Sequence, residues 1–316
     1  FRYPFLTCTQ CGPRYSLLTA IPYERSNTTM AGFDLCLACR IEYSTESDRR
    51  FHAEPIACPT CGPHLSLWDE EGHEISGPED ALQKAHVMLD QGLIVAVKGL
   101  GGFQLWVDAT SEEAVRRLRD RKRRLEKPFG VLFPSIEAVR SYCLLSSEEE
   151  ALLRSPQAPI VLALKRRDAS LADAVAPGNP YLGVMLPASP LHHLLMASIG
   201  RPMVATSGNR SEEPIVTDEH EALVRLQGIA DALLVHDRPI ARPVDDSVVL
   251  VVPGKVLSVD GEQKEKPRAD VMILRRARGY VPLAIRWGDV LASGVQGPIL
   301  ALGGHLKNTV ALLTGN

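Results

Sequence analysis

Short apolar runs alternate with amphipathic stretches through most of the chain, most densely between Ile94 and Phe133. Residues 94–97 are an uninterrupted apolar run of strand length. Gly99, Gly101 and Gly102 mark a turn, and a second strand follows it. Ser111 then stands where a helix N-cap belongs, with Glu112 and Glu113 in the first turn and Val115, Leu118 and Leu125 near helical spacing. A basic loop leads to another strand ending near Phe133. The same reading predicts helices over 78–91, 136–142, 147–153, 191–199 and 219–227. In the first of these Leu82, Ala85, Val87 and Leu89 form the apolar set and Gly92 is the stop. Strands are predicted over 159–164, 183–186, 203–205, 232–235, 248–252 and 272–274, and a turn over 177–180. Short strands alternating with helices imply an α/β or α+β layered fold, with the strand order left open. Residues 260–267 read as an exposed connection.

Composition narrows the class. The chain has 316 residues, 45% hydrophobic and 23% charged, as in soluble globular proteins of about two domains. A net charge of −3 argues against general coating of nucleic acid. No apolar stretch approaches the roughly 20 residues that span a bilayer, and no secretory signal is visible. Phe1 falls inside a motif, so the chain is expected to be a fragment.

Against that balance, residues 116–127 hold eight basic and two acidic side chains. Charge so concentrated anticipates an anionic partner. The alternative is a solvated basic helix whose late cations suit its dipole. The preceding glycine turn lets the backbone approach a phosphate closely. A strand running into Thr206-Ser207-Gly208-Asn209 offers hydroxyl and amide groups at a pocket edge, unless it is merely a turn. His192 and His193 are adjacent and share no helix face; a structural or pocket-edge histidine with its hydrogen bonds satisfied is expected. Ser207 lacks a G-x-S-x-G elbow. Cys143 reads as a small buried residue.

The seven cysteines fall into three CxxC pairs plus Cys143. Cys36, Cys39, Cys58 and Cys61 have the C-x2-C-x18-C-x2-C spacing of a tetrahedral four-thiolate zinc site. Four protein ligands leave no open position, so the zinc is expected to be structural. A redox pair is the alternative. Residues 1–18 and 50–68 repeat one another around a shared CGP. Cys8 and Cys11 therefore look like half of a second metal site. This usage suits a reducing, cytoplasmic setting. The cysteine region has few apolar residues, so metal is expected to supply its folding energy.

CGPRYS, the cysteine spacing with DRRFHAEP, KGLGGFQL, RKRRLEKPF, TSGN, HDRPI, DDSVV and RRARGYVP occur in order along the chain. With them the chain resembles the HypF family, the carbamoyltransferases of nickel–iron hydrogenase maturation. The resemblance implies a zinc-ribbon region over 1–76 and a YrdC-like domain over 77–285. Residues 286–316 would be a linker and the start of a TsaD-like domain. It implies a twisted sheet with flanking helices that forms carbamoyl-adenylate from ATP and carbamate, the carbamate coming from carbamoyl phosphate. HypE would be the protein partner. It assigns Lys98, Lys122 and Arg124 to catalysis. Gly101, Gly102, Lys127, Thr206, Ser207, Asn209, Ser247, Arg276 and Arg278 would bind substrate or nucleotide, with Lys98 lining the same cavity. ATP, structural zinc and Mg²⁺ are the implied small partners; nucleic acid and membrane are not. A double-stranded-RNA-binding module, or a threonylcarbamoyl-adenylate enzyme of tRNA modification, remains the alternative.

Overall fold

A computed structural model describes residues 2–6, 14–211, 213–252, 270–283, 298–302 and 310–313. The helices are α1 Arg14–Leu17, α2 Leu37–Ser44, α3 Ala81–Asp90, α4 Glu112–Lys122, α5 Ile136–Tyr142, α6 Ser147–Leu153, α7 Pro190–Ile199 and α8 Glu219–Arg225. The strands are β1 Leu65–Trp68, β2 Glu74–Ser76, β3 Val95–Lys98, β4 Phe103–Asp108, β5 Gly130–Leu132, β6 Cys143–Leu144 and β7 Ile160–Lys165. They continue with β8 Tyr181–Met185, β9 Met203–Ser207, β10 Ala232–His236, β11 Val248–Val252, β12 Asp270–Arg275, β13 Ile299–Leu302 and β14 Val310–Leu313.

Twelve strands form one mixed sheet in the order β12-β11-β7-β8-β5-β9-β4-β3-β10-β1-β2, with β6 on β7. The pairs β3/β10, β5/β8 and β7/β11 are parallel and the others antiparallel. The central strands are apolar at nearly every position because both faces are covered. Period-two alternation then divides them between two cores. Ile94, Ala96, Leu105, Val107, Val131 and Val204 face one core, beneath α4, α5, α6 and α8. Val95, Val97, Trp106, Leu132, Met203 and Ala205 face the other, beneath α3, α7 and the N-terminal region.

Serine supplies the N-cap of four of these helices. Ser111 Oγ accepts from Ala114 N (3.2 Å) ahead of α4, and Ser146 closes a reciprocal box with Glu149 at α6. Ser189 caps α7, whose first residue is Pro190.

Four expectations change. In α3 the buried residues are Ala81, Ala85 and Leu89, and Val87 is exposed, because only one stripe of the helix meets the sheet. Leu125 lies beyond the end of α4 and is exposed. The β1–β2 hairpin joins the large sheet through β10, so that sheet begins before residue 77. Tyr3, Phe5, Leu17, Met30 and Ala57 likewise enter the second core. The N-terminal region therefore has apolar burial of its own, and metal is not its only source of order. β13 and β14 form a separate antiparallel pair. Cys8, Cys11 and residues 260–267 lie outside the described residues.

Candidate functional site

A cavity of about 310 Å³ opens where β4, β9 and β5 end beside the 99–102 turn. Gln104 and Ser207 are register partners on β4 and β9, as are Trp106 and Ala205, so Gln104 and Ser207 point to the same side. Phe129, Ile160, Leu162 and Val248 give the cavity an apolar slot. Arg124, Lys127, Arg275 and Arg278 bring positive charge to its walls. Gly101 approaches Val244 so closely that a Cβ would lie 2.3 Å from its Cγ1 and 2.4 Å from its carbonyl oxygen. Only bare backbone fits there. Gly208 meets the same limit, since its Cβ would lie 2.5 Å from that of Phe103.

The basic run is not one patch. Arg116 pairs with Glu112, and Arg121 with Asp231 at 2.7 Å. Arg117 donates to the Gly92 carbonyl. Arg119 is buried and donates to the carbonyls of Arg124 (2.7 Å), Leu125 (3.2 Å) and Val175 (3.2 Å), with its guanidinium 4.5 Å over the Phe129 ring. It thereby shapes the loop that follows α4. That helix ends at Arg123, whose φ of +53° is left-handed. Past this stop the chain turns toward the cavity and delivers Arg124 and Lys127. Arg124 bonds the carbonyls of Lys127 (3.0 Å) and Pro128 (2.6 Å). Burial, with Arg119 and Arg275 nearby, pushes its pKa down to about 10.

Of the residues assigned from sequence, Gly101, Gly102, Arg124, Lys127, Thr206, Ser207 and Arg278 line this cavity. Five do not. Lys98 shares the side of Ile94 and Ala96 by strand alternation, beneath α8, where its Nζ pairs with Glu219 and donates to the His236 carbonyl (3.0 Å). It borders a neighbouring cavity of about 290 Å³. Lys122 is buried, and its Nζ donates to Ser207 O (2.6 Å), Asn209 O (2.6 Å) and Asn209 Oδ1 (2.9 Å). It pins the loop behind the cavity. Asn209 is spent within that loop, accepting from Ser207 Oγ (2.7 Å) and donating to Glu213 O (2.5 Å). Ser247, fully buried, accepts from Ala277 N (2.8 Å) and donates to Arg278 O (2.9 Å). Ser247 thus positions Arg278. Arg276 turns away to the carbonyls of Tyr280 (2.8 Å) and Leu283.

Sequence reasoning missed Gln104 and Asp246. Gln104 Oε1 accepts from Trp106 Nε1 (3.3 Å) and its Nε2 donates to Asp246 Oδ2 (2.9 Å). Asp246 in turn accepts from Arg278 at 2.7 Å and 2.8 Å. Burial opposes the charge of Asp246, but Arg278 outweighs it and holds the pKa below the usual range. A glutamine amid an apolar strand was the available signal. His192 also lines the cavity, but its ring nitrogens have no hydrogen-bond partner, contrary to the expectation of a satisfied histidine.

Apart from the cavity, Cys36, Cys39, Cys58 and Cys61 place their sulfurs within 4.8 Å of one another. Cys36 caps α2, and the turn of Cys58 to Gly62 curls back so that Gly62 N donates to Cys58 O (2.8 Å). The Cys36–Cys58 and Cys58–Cys61 sulfurs are each 3.7 Å apart. That is far beyond a disulfide but close to the edge of a tetrahedron with Zn–S bonds of about 2.3 Å. Burial opposes ionisation of Cys58, but the amides of Thr60 and Cys61 and the neighbouring thiols push its pKa down to about 6. The donor set fits a structural zinc.

Among the described residues no helix is long and apolar enough to cross a membrane. Residues 87–259 match the Sua5–YciO–YrdC family, described as "Telomere recombination", and residues 1–18 and 35–68 match the HypF finger. The chain is 48% identical over 316 residues to the carbamoyltransferase HypF of Synechocystis sp., covering 100% of this chain and 39% of that protein. It is 47% identical over 311 residues to the carbamoyltransferase HypF of Rhodobacter capsulatus, covering 98% and 39%. A full-length HypF crystallised in its phosphate- and nucleotide-bound form superposes with a TM-score of 0.86 at 44% identity, over 100% of this chain and 38% of that one. The chain thus spans about two fifths of the length of these relatives. It belongs to the Sua5–YciO–YrdC family, in the form that domain takes behind a HypF finger in the HypF carbamoyltransferases.

Proposed function

We propose that the cavity binds ATP and carbamate and forms carbamoyl-adenylate, as one part of a HypF-type carbamoyltransferase acting on HypE. The observation that carries this reading is a cavity lined both by apolar side chains, Phe129, Ile160, Leu162 and Val248, and by the cations Arg124, Lys127, Arg275 and Arg278. The slot suits a purine, and the cations offset a triphosphate meeting a carboxylate-like anion. A full-length relative, 38% of which this chain matches, was crystallised with phosphate and nucleotide bound.

A carbamate oxygen attacks the α-phosphorus. The new P–O bond forms as the bond to the bridging oxygen breaks, and pyrophosphate leaves with the electron pair. Mg²⁺ entering with the nucleotide would share the phosphate charge. Arg124 and Lys127 hold the phosphates, Arg278 is fixed beside them by Asp246, and Thr206 and Ser207 line the same edge, the Ser207 hydroxyl proton being given to Asn209 Oδ1. Lys122 and Ser247 are positioning residues that act through the 206–209 loop and Arg278. Transfer of the carbamoyl group to the C-terminal cysteine of HypE belongs to the whole carbamoyltransferase. The basic run gives RNA recognition no support, since most of its charges are taken up inside the protein.

The test is ATP–pyrophosphate exchange in the presence and absence of ammonium carbamate, with Arg124→Ala and Lys127→Ala beside the parent chain. Carbamate-dependent exchange that falls at least about tenfold in both variants is expected. Exchange independent of carbamate, or untouched by either substitution, rejects the proposal.

A further inference from the structure

We infer that the second cavity, at the N-terminus of α7, is an anion site in which Arg238 holds a small oxyanion of the phosphate or carbamate class. This goes beyond the function proposed above and does not depend on it.

Arg238 belongs to the HDRPI stretch, none of whose residues lines the nucleotide cavity. It follows β10 and is only 5% exposed. Its guanidinium lies 5.2 Å over the Phe5 ring, which covers one face of the cation and accepts none of its N–H groups. Among the described residues Arg238 makes no hydrogen bond and no ion pair through its side chain. The adjacent Asp237 carboxylate accepts from the His64 N–H at 2.8 Å and lies 3.7 Å from the His64 ring nitrogen instead. Burial pulls the Arg238 pKa down to about 10, against the pull of Tyr3 and Asp237, so the group is charged at neutral pH. Its nitrogens have no partner, yet they are not among the sealed atoms, so they keep accessible surface. The space they meet is the second cavity, which Arg238 lines. Buried charges in folded proteins are paired, and one whose donors open on a cavity calls for a counter-ion there.

The rest of the cavity agrees. It holds about 290 Å³, and no Asp or Glu is among the described residues that line it. Lys98, in its wall, already has Glu219 as a counter-charge. Residues 187–191 line it too and bring the start of the ten-residue helix α7 to it. Pro190 has no N–H to give. The His192 and His193 N–H groups go to Ser189 Oγ (3.2 Å) and Ser189 O (3.0 Å). Among the described residues the Leu191 N–H and the Ser189 hydroxyl proton have no acceptor. A free N–H and the positive end of the helix dipole favour an anion. The guanidinium fork matches two oxygens of one phosphate or carboxylate group. Gly99, Leu100 and Ala188 line both cavities, so an anion held by Arg238 stands beside the nucleotide cavity.

The experiment saturates the chain with a non-hydrolysable ATP analogue, which fills the nucleotide cavity. Sodium phosphate and, separately, sodium bicarbonate, a stable stand-in for carbamate, are then titrated at an ionic strength fixed with chloride. Calorimetry reads the affinity, and the ¹⁵N resonances of the arginine side chains locate the anion. At least one of the two anions should bind with a Kd of about 1 mM or tighter and move a resonance that is missing from Arg238→Met. Arg238→Met keeps the stem, removes a buried charge and should lose at least about tenfold in that affinity. Arg238→Lys keeps the charge without the fork; it should lose less, and it serves where the Met variant does not fold. Tighter binding of phosphate assigns the site to a tetrahedral anion, and tighter binding of bicarbonate to a carboxylate-type one; either supports the inference. No saturable binding of either anion below about 10 mM overturns it. So does equal affinity in parent and variants, or binding that leaves the Arg238 resonance in place. A parent chain that does not bind the analogue rejects the nucleotide reading and leaves this comparison standing, because Arg238 lies outside that cavity.

Discussion

Lys122→Met separates a cation that faces the nucleotide from one that holds the loop behind it. Lys122 is 3% exposed, and its ammonium gives three hydrogen bonds, to Ser207 O, Asn209 O and Asn209 Oδ1. Each charge-assisted bond is worth about 1.5–3 kcal/mol. Against this, burying an ammonium costs several kcal/mol, which the substitution recovers. Methionine fills the stem's volume but takes the ammonium from three acceptors, of which Asn209 Oδ1 keeps Ser207 Oγ and Ser207 O keeps the Asn209 amide. The net loss should be about 2–4 kcal/mol. At about 2–4 °C per kcal/mol for a domain of this size, that is a fall in Tm of about 5–15 °C. Differential scanning calorimetry reads the stability, and titration calorimetry with a non-hydrolysable ATP analogue reads the site. Below the variant's transition, analogue affinity should fall only as far as the loosened 206–209 loop allows, within about threefold. An unchanged Tm with nucleotide affinity lost about a hundredfold would refute the reasoning, because the ammonium would then be spent on the ligand and not on the carbonyls.

Other consequences are as direct. Lys98→Met should lower Tm by leaving Glu219 without its partner while nucleotide affinity stays within about twofold; a large affinity loss would put Lys98 back in the nucleotide site. Gly101→Ala should abolish nucleotide binding, because a Cβ there meets Val244 at 2.3 Å, whereas Gly32→Ala, with nothing within 4 Å, should be neutral in the same binding assay. Chelation should release one zinc per cluster of Cys36, Cys39, Cys58 and Cys61 and lower Tm, yet leave the sheet's circular dichroism, since Phe5, Met30 and Ala57 pack in the second core. His192 has a folded pKa of about 4 against an ordinary 6.5, so the unfolded chain takes up its proton first as pH falls. Its contribution is fully present above about pH 6.5 and is lost between there and about pH 4, to the extent of about 3 kcal/mol. Urea unfolding across that window should therefore show a shallower fall in His192→Phe than in the parent chain, and parallel curves would contradict the assignment.

What the sequence made legible follows from what is local. α5 and α6 end where their apolar spacing and caps predict, and β11 coincides with its apolar run. The four-cysteine spacing carries its own geometry, because a CxxC turn brings two sulfurs together whatever surrounds it. Cys143 is buried as its apolar flanks suggest. The sites that misled are those where a charged residue's partner lies far along the chain. Nothing near Lys98 announces Glu219, and nothing near Lys122 announces the carbonyls of residues 207 and 209.

The basic run is the sharpest case, and its failure has a geometric cause. A helix turns about 100° per residue, so cations crowded in sequence are spread around its circumference. Arg116, Arg117, Arg119, Arg121 and Lys122 therefore meet five different surroundings, from Glu112 at the surface to the buried carbonyls near Phe129. Consecutive residues can aim at one target only after the helix stops, and Arg123 is that stop. Beyond it, Arg124 and Lys127 reach the cavity together. The count of charges thus carried less information than the point at which the helix ended. That point is set by the Arg119 guanidinium gathering the carbonyls of Arg124 and Leu125, a contact that no property of the run itself discloses.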